Sequence, residues 1–241
     1  MYPARVAPEL RRQGWEVHAV VLKGSRVAES FAAVGVEPIQ YRSRVAALCH
    51  AIGISHYLRT HDIHTLHAHK SSDVHLCALL ATLLPHLNVF FTDHMGVRKP
   101  KKDRFHRWSY SKVTRLFSIS QVTYRRNLSA FPMPGHRITQ LYYGIDLEPY
   151  RSVLPDSQRG YIRSELGVPP THFAIALPGR ISETKGHSIW VQALAKLRQK
   201  NPSLPFTGVI IGEAGVDERR DGGYLDKLKA MISSLGISDA V

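Results

Sequence analysis

The sequence predicts an α/β protein with two successive, mostly parallel sheets. Short β-branched and aromatic runs alternate with longer helical periods, a stretch rich in Pro, Ser and charge interrupts the alternation after Asp146, and a second alternation follows. Strands are expected at residues 17–22, 36–41, 64–69, 88–94, 115–120 and 137–144. Helices are expected at 3–13, 25–33, 44–59, 71–84, 102–113 and 121–130. Beyond the connector at 146–157, a helix is expected at 157–166, a strand at 172–179, a helix at 186–200, a strand at 206–214 and a helix at 223–235. The domain reading is therefore 1–150 and 151–241. The chain opens in a helix without a preceding strand and stops where another strand is due. Both ends read as cut, and a piece of a longer protein is expected.

Composition narrows the class. With 44% hydrophobic and 21% charged residues over 241 positions, disordered, collagen-like and coiled-coil readings fail. The 32 basic residues against 19 acidic ones leave +13 before any of the 14 histidines is counted, so an anionic partner is expected. Two cysteines, Cys49 and Cys77, give neither a disulfide framework nor a cysteine zinc site, which suits a reducing compartment. The apolar run 74–87 is too short for a membrane span and contains Pro85, and the N-terminus lacks a secretory pattern. A cytoplasmic protein is expected, with peripheral attachment to the inner membrane face as the variant.

Residues 175–194 are the most informative. An apolar strand ends at Pro178 and Gly179, Arg180 follows in the loop, and Lys185 and Gly186 open a helix whose expected buried stripe is Ile189, Ala193, Leu194 and Leu197. A helix N-terminus offers free amides and partial positive charge, and with a guanidinium and an ammonium beside it a diphosphate would fit. Two solvated surface cations flanking a loop remain the alternative on spacing alone.

The segment Gly179-Arg180-x4-Lys185-Gly186 resembles the phosphate-binding strand, loop and helix of retaining nucleotide-sugar glycosyltransferases of family 4, which have the GT-B fold. Residues 6–22, 64–81, 90–96, 118–150 and 209–237 resemble further family segments in the same order. The resemblance implies two Rossmann-like domains facing a cleft, both truncated at the chain ends. Residues 1–150 would form the acceptor-side domain, lacking its first strand, and 151–241 the first part of the nucleotide-sugar domain. It implies transfer of a sugar from a nucleoside diphosphate sugar to a glycan or lipid-linked acceptor with retention, without a metal or other cofactor. Gly179, Arg180, Lys185, Gly186 and Gly212 would hold the donor, and Arg180 and Lys185 would stabilise the departing diphosphate. His94 would lie at the interdomain cleft beside the transferred sugar and donate a hydrogen bond to a hydroxyl. Tyr143 stands where the family usually has Asn, and Ala214, followed by Gly215, replaces the second glycine of a G-x-G strand end. The family's pair of glutamates would lie beyond Val241 and its glycine-rich loop before Met1, so this chain alone is expected to be inactive.

His67 and His69 share one strand face with Asp73 nearby, a spacing compatible with zinc or iron, but no third and fourth ligand follow in sequence. Acceptor contact through His69, or hydrogen bonding, is preferred. The basic stretch 98–108, with Arg98, Lys99, Lys101 and Lys102, reads as a grip on an anionic acceptor such as a lipopolysaccharide core, or on anionic lipid. Nucleic acid, with Phe105 and Trp108 stacking on bases, is disfavoured because no accompanying motif is present. A solvated face is the remaining reading. The rival functions are a non-enzymatic nucleic-acid-binding protein and a GT-B sugar-nucleotide epimerase.

Overall fold

The computed structural model describes residues 2–97, 99–214 and 223–241. The chain divides into two compact units between Ile145 and Asp146.

In the first unit α1 (Tyr2–Arg12) leads to β1 (Val20–Leu22), α2 (Arg26–Ala32), β2 (Ile39–Tyr41), α3 (Arg44–Cys49) and α4 (Ala51–Thr60). Then follow β3 (Thr65–Ala68), α5 (Val74–Leu83), β4 (Asn88–Asp93), α6 (Arg104–Ser111), β5 (Arg115–Ser118), α7 (Gln121–Ala130) and β6 (Ile138–Gln140). β1 and β2 pair as one parallel ladder, and β3, β4, β5 and β6 lie side by side as a second, parallel throughout. α2, α3, α6 and α7 start where side chains satisfy their first amides, whereas α4 and α5 have no side-chain cap. Ser25, Ser43 and Asp103 accept from Ala28, Ala46 and His106, and Ser120 forms a capping box with Thr123. The core between β3–β6 and their helices includes Val74, Val89, Phe91, Tyr110, Val113 and Leu116, all essentially sealed from water.

Two local readings needed correction. The helix expected over 44–59 is broken at His50, whose backbone turns out of helical geometry while its Nδ1 and amide both engage the Ala46 carbonyl, at 2.7 and 3.1 Å. The helix expected from Lys102 begins at Arg104, so Lys99, Lys101 and Lys102 lie in the loop between β4 and α6.

The second unit contains α8 (Glu148–Arg151), α9 (Asp156–Glu165), β7 (Phe173–Pro178), α10 (His187–Lys200), β8 (Phe206–Ile211) and α11 (Tyr224–Ser234). The short α8 sits inside the stretch read as the connector between domains. β7 and β8 pair in parallel from Phe173 opposite Phe206 to Pro178 opposite Ile211, and an Ile181–Ala214 bridge prolongs the ladder. Val191, Leu194, Phe206, Leu228 and Ile237 form the core. The buried stripe of α10 is His187, Val191 and Leu194, whereas Ile189 is 74% exposed and Ala193 faces solvent. The helix is rotated from the expected stripe: Val191 enters the core and Trp190 packs over Gly208 of β8, which turns Ile189 outward. Among the described residues no helix is long and apolar enough to cross a membrane.

Candidate active site

In the first unit, the loops at the C-terminal ends of β3 and β4 bring three imidazoles together. Because those strands are parallel neighbours, the residues just after them, His69 and His94, emerge side by side. Their rings stack with centroids 5.3 Å apart, and His69 Nδ1 lies 3.1 Å from His94 Nε2. His67, on β3, packs 4.2 Å from the His69 ring and hydrogen-bonds Thr92 Oγ1 through Nε2 at 2.8 Å. The other His94 nitrogen, Nδ1, is hydrogen-bonded to the Tyr143 hydroxyl. Tyr143 also stacks on His94, and Tyr2 packs against both rings, 4.2 Å from Tyr143 and 5.8 Å from His94.

The turn carrying His94 is fixed from below. Asp93 is buried, and its Oδ1 accepts from the amides of Met95 and Gly96 at 3.3 and 3.1 Å. Gly96 adopts φ +74°, a left-handed conformation that favours glycine.

Loss of hydration keeps these imidazoles uncharged. It lowers His67 to about 4, with the neighbouring His94 adding to the fall, although His67 is the exposed member of the three. The more enclosed His69 falls to about 3, through burial and then His67 and His94. His94 is lowered by burial and partly restored by Asp93. A neutral imidazole has one N–H, so the network is ordered. When Tyr143 donates to His94 Nδ1, His94 Nε2–H donates to His69; the reverse order runs the other way. Both nitrogens of His94 are thus engaged, and the free N–H expected for a sugar hydroxyl is occupied here. A substrate oxygen must displace Tyr143 or His69, or join the network through Tyr143.

The structure does not draw His67, His69 and Asp73 into one group of ligand atoms. Asp73 turns to Arg44 Nε, 3.3 Å away, and among the described residues no metal-capable group of three includes His67, His69 or Asp73. Lys99 and Lys102 are exposed and Lys101 half-buried, none paired with a carboxylate among the described residues; Arg98 lies outside those residues. The Lys101 amide donates to the Ala130 carbonyl at 2.7 Å, anchoring the loop. Beside it lies a surface cavity of about 420 Å³, lined by Val97, Pro100, Arg126, Ser129 and Ala130.

In the second unit the backbone builds the candidate donor loop. A Cβ placed on Gly212, at the end of β8, would fall 1.9 Å from the Gly179 carbonyl oxygen, so no larger residue fits without moving the strand ends. The Gly179 amide donates to Ile211 O at 2.9 Å and the Ile181 amide to Glu213 O at 3.0 Å. Gly179 (φ +156°) and Gly186 (φ +79°) bracket the loop, and Gly186 caps α10 in a left-handed turn. Arg180 and Lys185 are exposed, and among the described residues neither makes an ion pair. Beneath them His187 is fully buried, its Nδ1 3.4 Å from the Ser182 carbonyl.

One expectation for α10 fails. The Ser188 amide in its first turn is not free, because it donates to Tyr224 Oη at 3.2 Å. Gly215 lies outside the described residues, and Ala214 faces Ile181 in the bridge. Tyr2, Thr92, Tyr143 and Tyr224 were not foreseen as parts of these sites. Only Tyr143 left a signal in the sequence, as a departure at a turn position.

The α/β fold with parallel sheets is of the GT-B class, as its likeness to solved structures shows. A glycosyltransferase from Rickettsia africae superposes with a TM-score of 0.78 at 17% identity, covering 98% of this chain and 61% of that one. Anabaena HepE, solved with UDP, gives 0.78 at 16% identity, covering 99% and 63%. The sequence model of Glycosyltransferase Family 4 matches residues 2–149, more than half of the chain, and the protein belongs to that family. A D-inositol 3-phosphate glycosyltransferase of Arthrobacter sp. is 33% identical over 98 residues, 41% of this chain and 21% of that protein. The chain thus matches about a fifth of that relative and about three fifths of the two solved chains.

Proposed function

We propose that the protein transfers a sugar from a nucleoside diphosphate sugar to a glycan or lipid-linked acceptor with retention of anomeric configuration. The bond between the anomeric carbon and the diphosphate oxygen breaks, the acceptor oxygen bonds to the same face, and the acceptor proton leaves with the diphosphate or to solvent. Arg180 and Lys185 neutralise the diphosphate as it departs, a role a divalent metal fills in other enzymes and that two preorganised cations supply here. Gly179, Gly186 and Gly212 shape the loop that presents them.

His94 orients a hydroxyl of the transferred sugar, tuned by His69. Lys99, Lys101, Lys102 and Arg98 contact an anionic acceptor, of lipopolysaccharide-core type, at the inner membrane face. A phosphate-bearing acceptor also agrees with the name of the Arthrobacter relative.

The observation that carries the reading is the pair of exposed cations, unpaired among the described residues, on a loop that only glycine at position 212 permits. The test is transfer from radiolabelled nucleotide sugars by the full-length protein and by Arg180→Ala and Lys185→Ala variants. Each charge-assisted hydrogen bond contributes about 1.5–3 kcal/mol, so each variant is expected to lose on the order of tenfold to a hundredfold in rate. Parental rates in both would remove the assignment. Tight, salt-steep binding to oligonucleotides with no transfer would favour the nucleic-acid reading instead.

A further inference from the structure

A second cluster of side chains lies in the first unit, apart from the three imidazoles at the C-terminal ends of β3 and β4. Glu16, His18 and His61 each offer a ligand atom, and these atoms all lie within 4.8 Å of one another. His18 Nε2 is 2.8 Å from Glu16 Oε1. The opposite nitrogen of the same ring, Nδ1, is 2.8 Å from the Tyr57 hydroxyl, and the His61 ring packs 4.1 Å from Tyr57 and 5.2 Å from His18.

We propose that Glu16, His18 and His61 form a binding site for a first-row divalent cation of the zinc type, held independently of the transfer chemistry. Two imidazoles and one carboxylate are a set that zinc accepts, with water completing the coordination. The Tyr57 contact supplies the feature that metal-binding imidazoles need. With Nδ1–H donating to the Tyr57 oxygen, Nε2 is left unprotonated; it is buried and makes no hydrogen bond among the described residues, Glu16 Oε1 lying close but out of its line, so its lone pair is available to an ion.

The backbone holds all three groups in place without the ion. Glu16 follows the turn that ends α1, where the Gly14 amide donates to Arg11 O and the Trp15 amide to Leu10 O, each at 3.0 Å. His18 precedes β1, and the adjacent Ala19 carbonyl accepts from the Ile39 amide at 2.8 Å. His61 is the C-cap of α4, held by its own amide on Tyr57 O and by the Ile63 amide on Leu58 O. A cation there also meets the negative end of the α4 dipole. Glu16 and His61 line a surface cavity of about 430 Å³ that leaves room for water ligands. The ion would fasten the segment between α1 and β1 to the end of α4.

The test is equilibrium dialysis of the 241-residue chain against Zn²⁺, with folding of every variant checked by circular dichroism. The parental chain and a His136→Ala control are expected to bind one equivalent. Glu16→Gln and His61→Ala, both at exposed positions, are expected to lose it. Tyr57→Phe, which keeps all three ligands, should weaken binding by about tenfold or more, an effect that a purely structural tyrosine would not have on metal affinity. Visible absorption of the Co²⁺-loaded chain should show the intense bands of a low-coordinate site, lost in His61→Ala. No binding by the parental chain would overturn the proposal. So would unchanged binding in folded Glu16→Gln and His61→Ala, with the metal then traced to His69 and His94.

Discussion

In the first unit the candidate groups bind one another, whereas in the second they are held by backbone alone. His67, His69, His94 and Tyr143 form a continuous network in which each ring packs against or is hydrogen-bonded to the next. Arg180 and Lys185 have no such companions among the described residues; their loop is set by the Gly179–Gly212 approach and the ladder around it. A self-bonded network resists loss of its geometry but must give up a bond to admit a substrate. A backbone-built loop leaves its cations free to meet an anion and places the structural burden on glycine. The two regions should therefore fail differently when mutated.

The largest expected effect breaks the backbone side of that contrast. Gly212→Ala puts a methyl group 1.9 Å from a carbonyl oxygen, a clash with backbone that side-chain adjustment does not relieve. A loss of about 3 kcal/mol or more is expected from denaturant unfolding. A variant within about 0.5 kcal/mol of the parent would show that the strand ends part easily.

The next effect addresses the network through pH. His69 stays neutral in the folded chain down to about pH 3, while an ordinary histidine in the unfolded chain takes up a proton below 6.5. Its folded pKa is depressed, so the associated stability is complete above pH 6.5 and is lost progressively as pH falls from 6.5 towards 3. Thermal melts across that window should show a shallower acid decline for His69→Gln than for the parent. Parallel declines would mean that His69 titrates normally.

The smallest effect sharpens the comparison at one bond. Tyr143→Phe keeps the stacked ring and removes the hydroxyl on His94, at a cost of about 0.5–1.5 kcal/mol in stability. By freeing His94 Nδ1 it should move the NMR titration of that imidazole, whereas Tyr142→Phe should leave it unmoved. No change in either variant would deny the coupling of Tyr143 to His94.

The sequence made the architecture legible because alternating apolar runs report strands and helices directly, and the eight strands among the described residues all fall within expected segments. It did not report phase or tertiary partners. The α10 stripe was misplaced because Ile189 and Val191 are equally apolar, and only packing on the sheet decides which faces inward. Arg180 and Lys185 were singled out from their spacing at a strand end and helix start, and His94 from the family resemblance. The engagement of both His94 nitrogens was not, because Tyr143 lies 49 positions along the chain. The Gly212 contact was read as part of a motif, yet its reason, a carbonyl in the place of a side chain, exists only once β7 and β8 pair.

The most direct test of the central claim, that Arg180 and Lys185 bind a diphosphate, is calorimetric titration of the chain with UDP and UMP, repeated with ADP and GDP, in the parent and the Arg180→Ala/Lys185→Ala double variant. The parent should prefer the diphosphate, and the double variant should lose that preference by about tenfold or more while melting at the parental temperature. Retention of the full preference for diphosphate over monophosphate by the folded double variant would contradict the account.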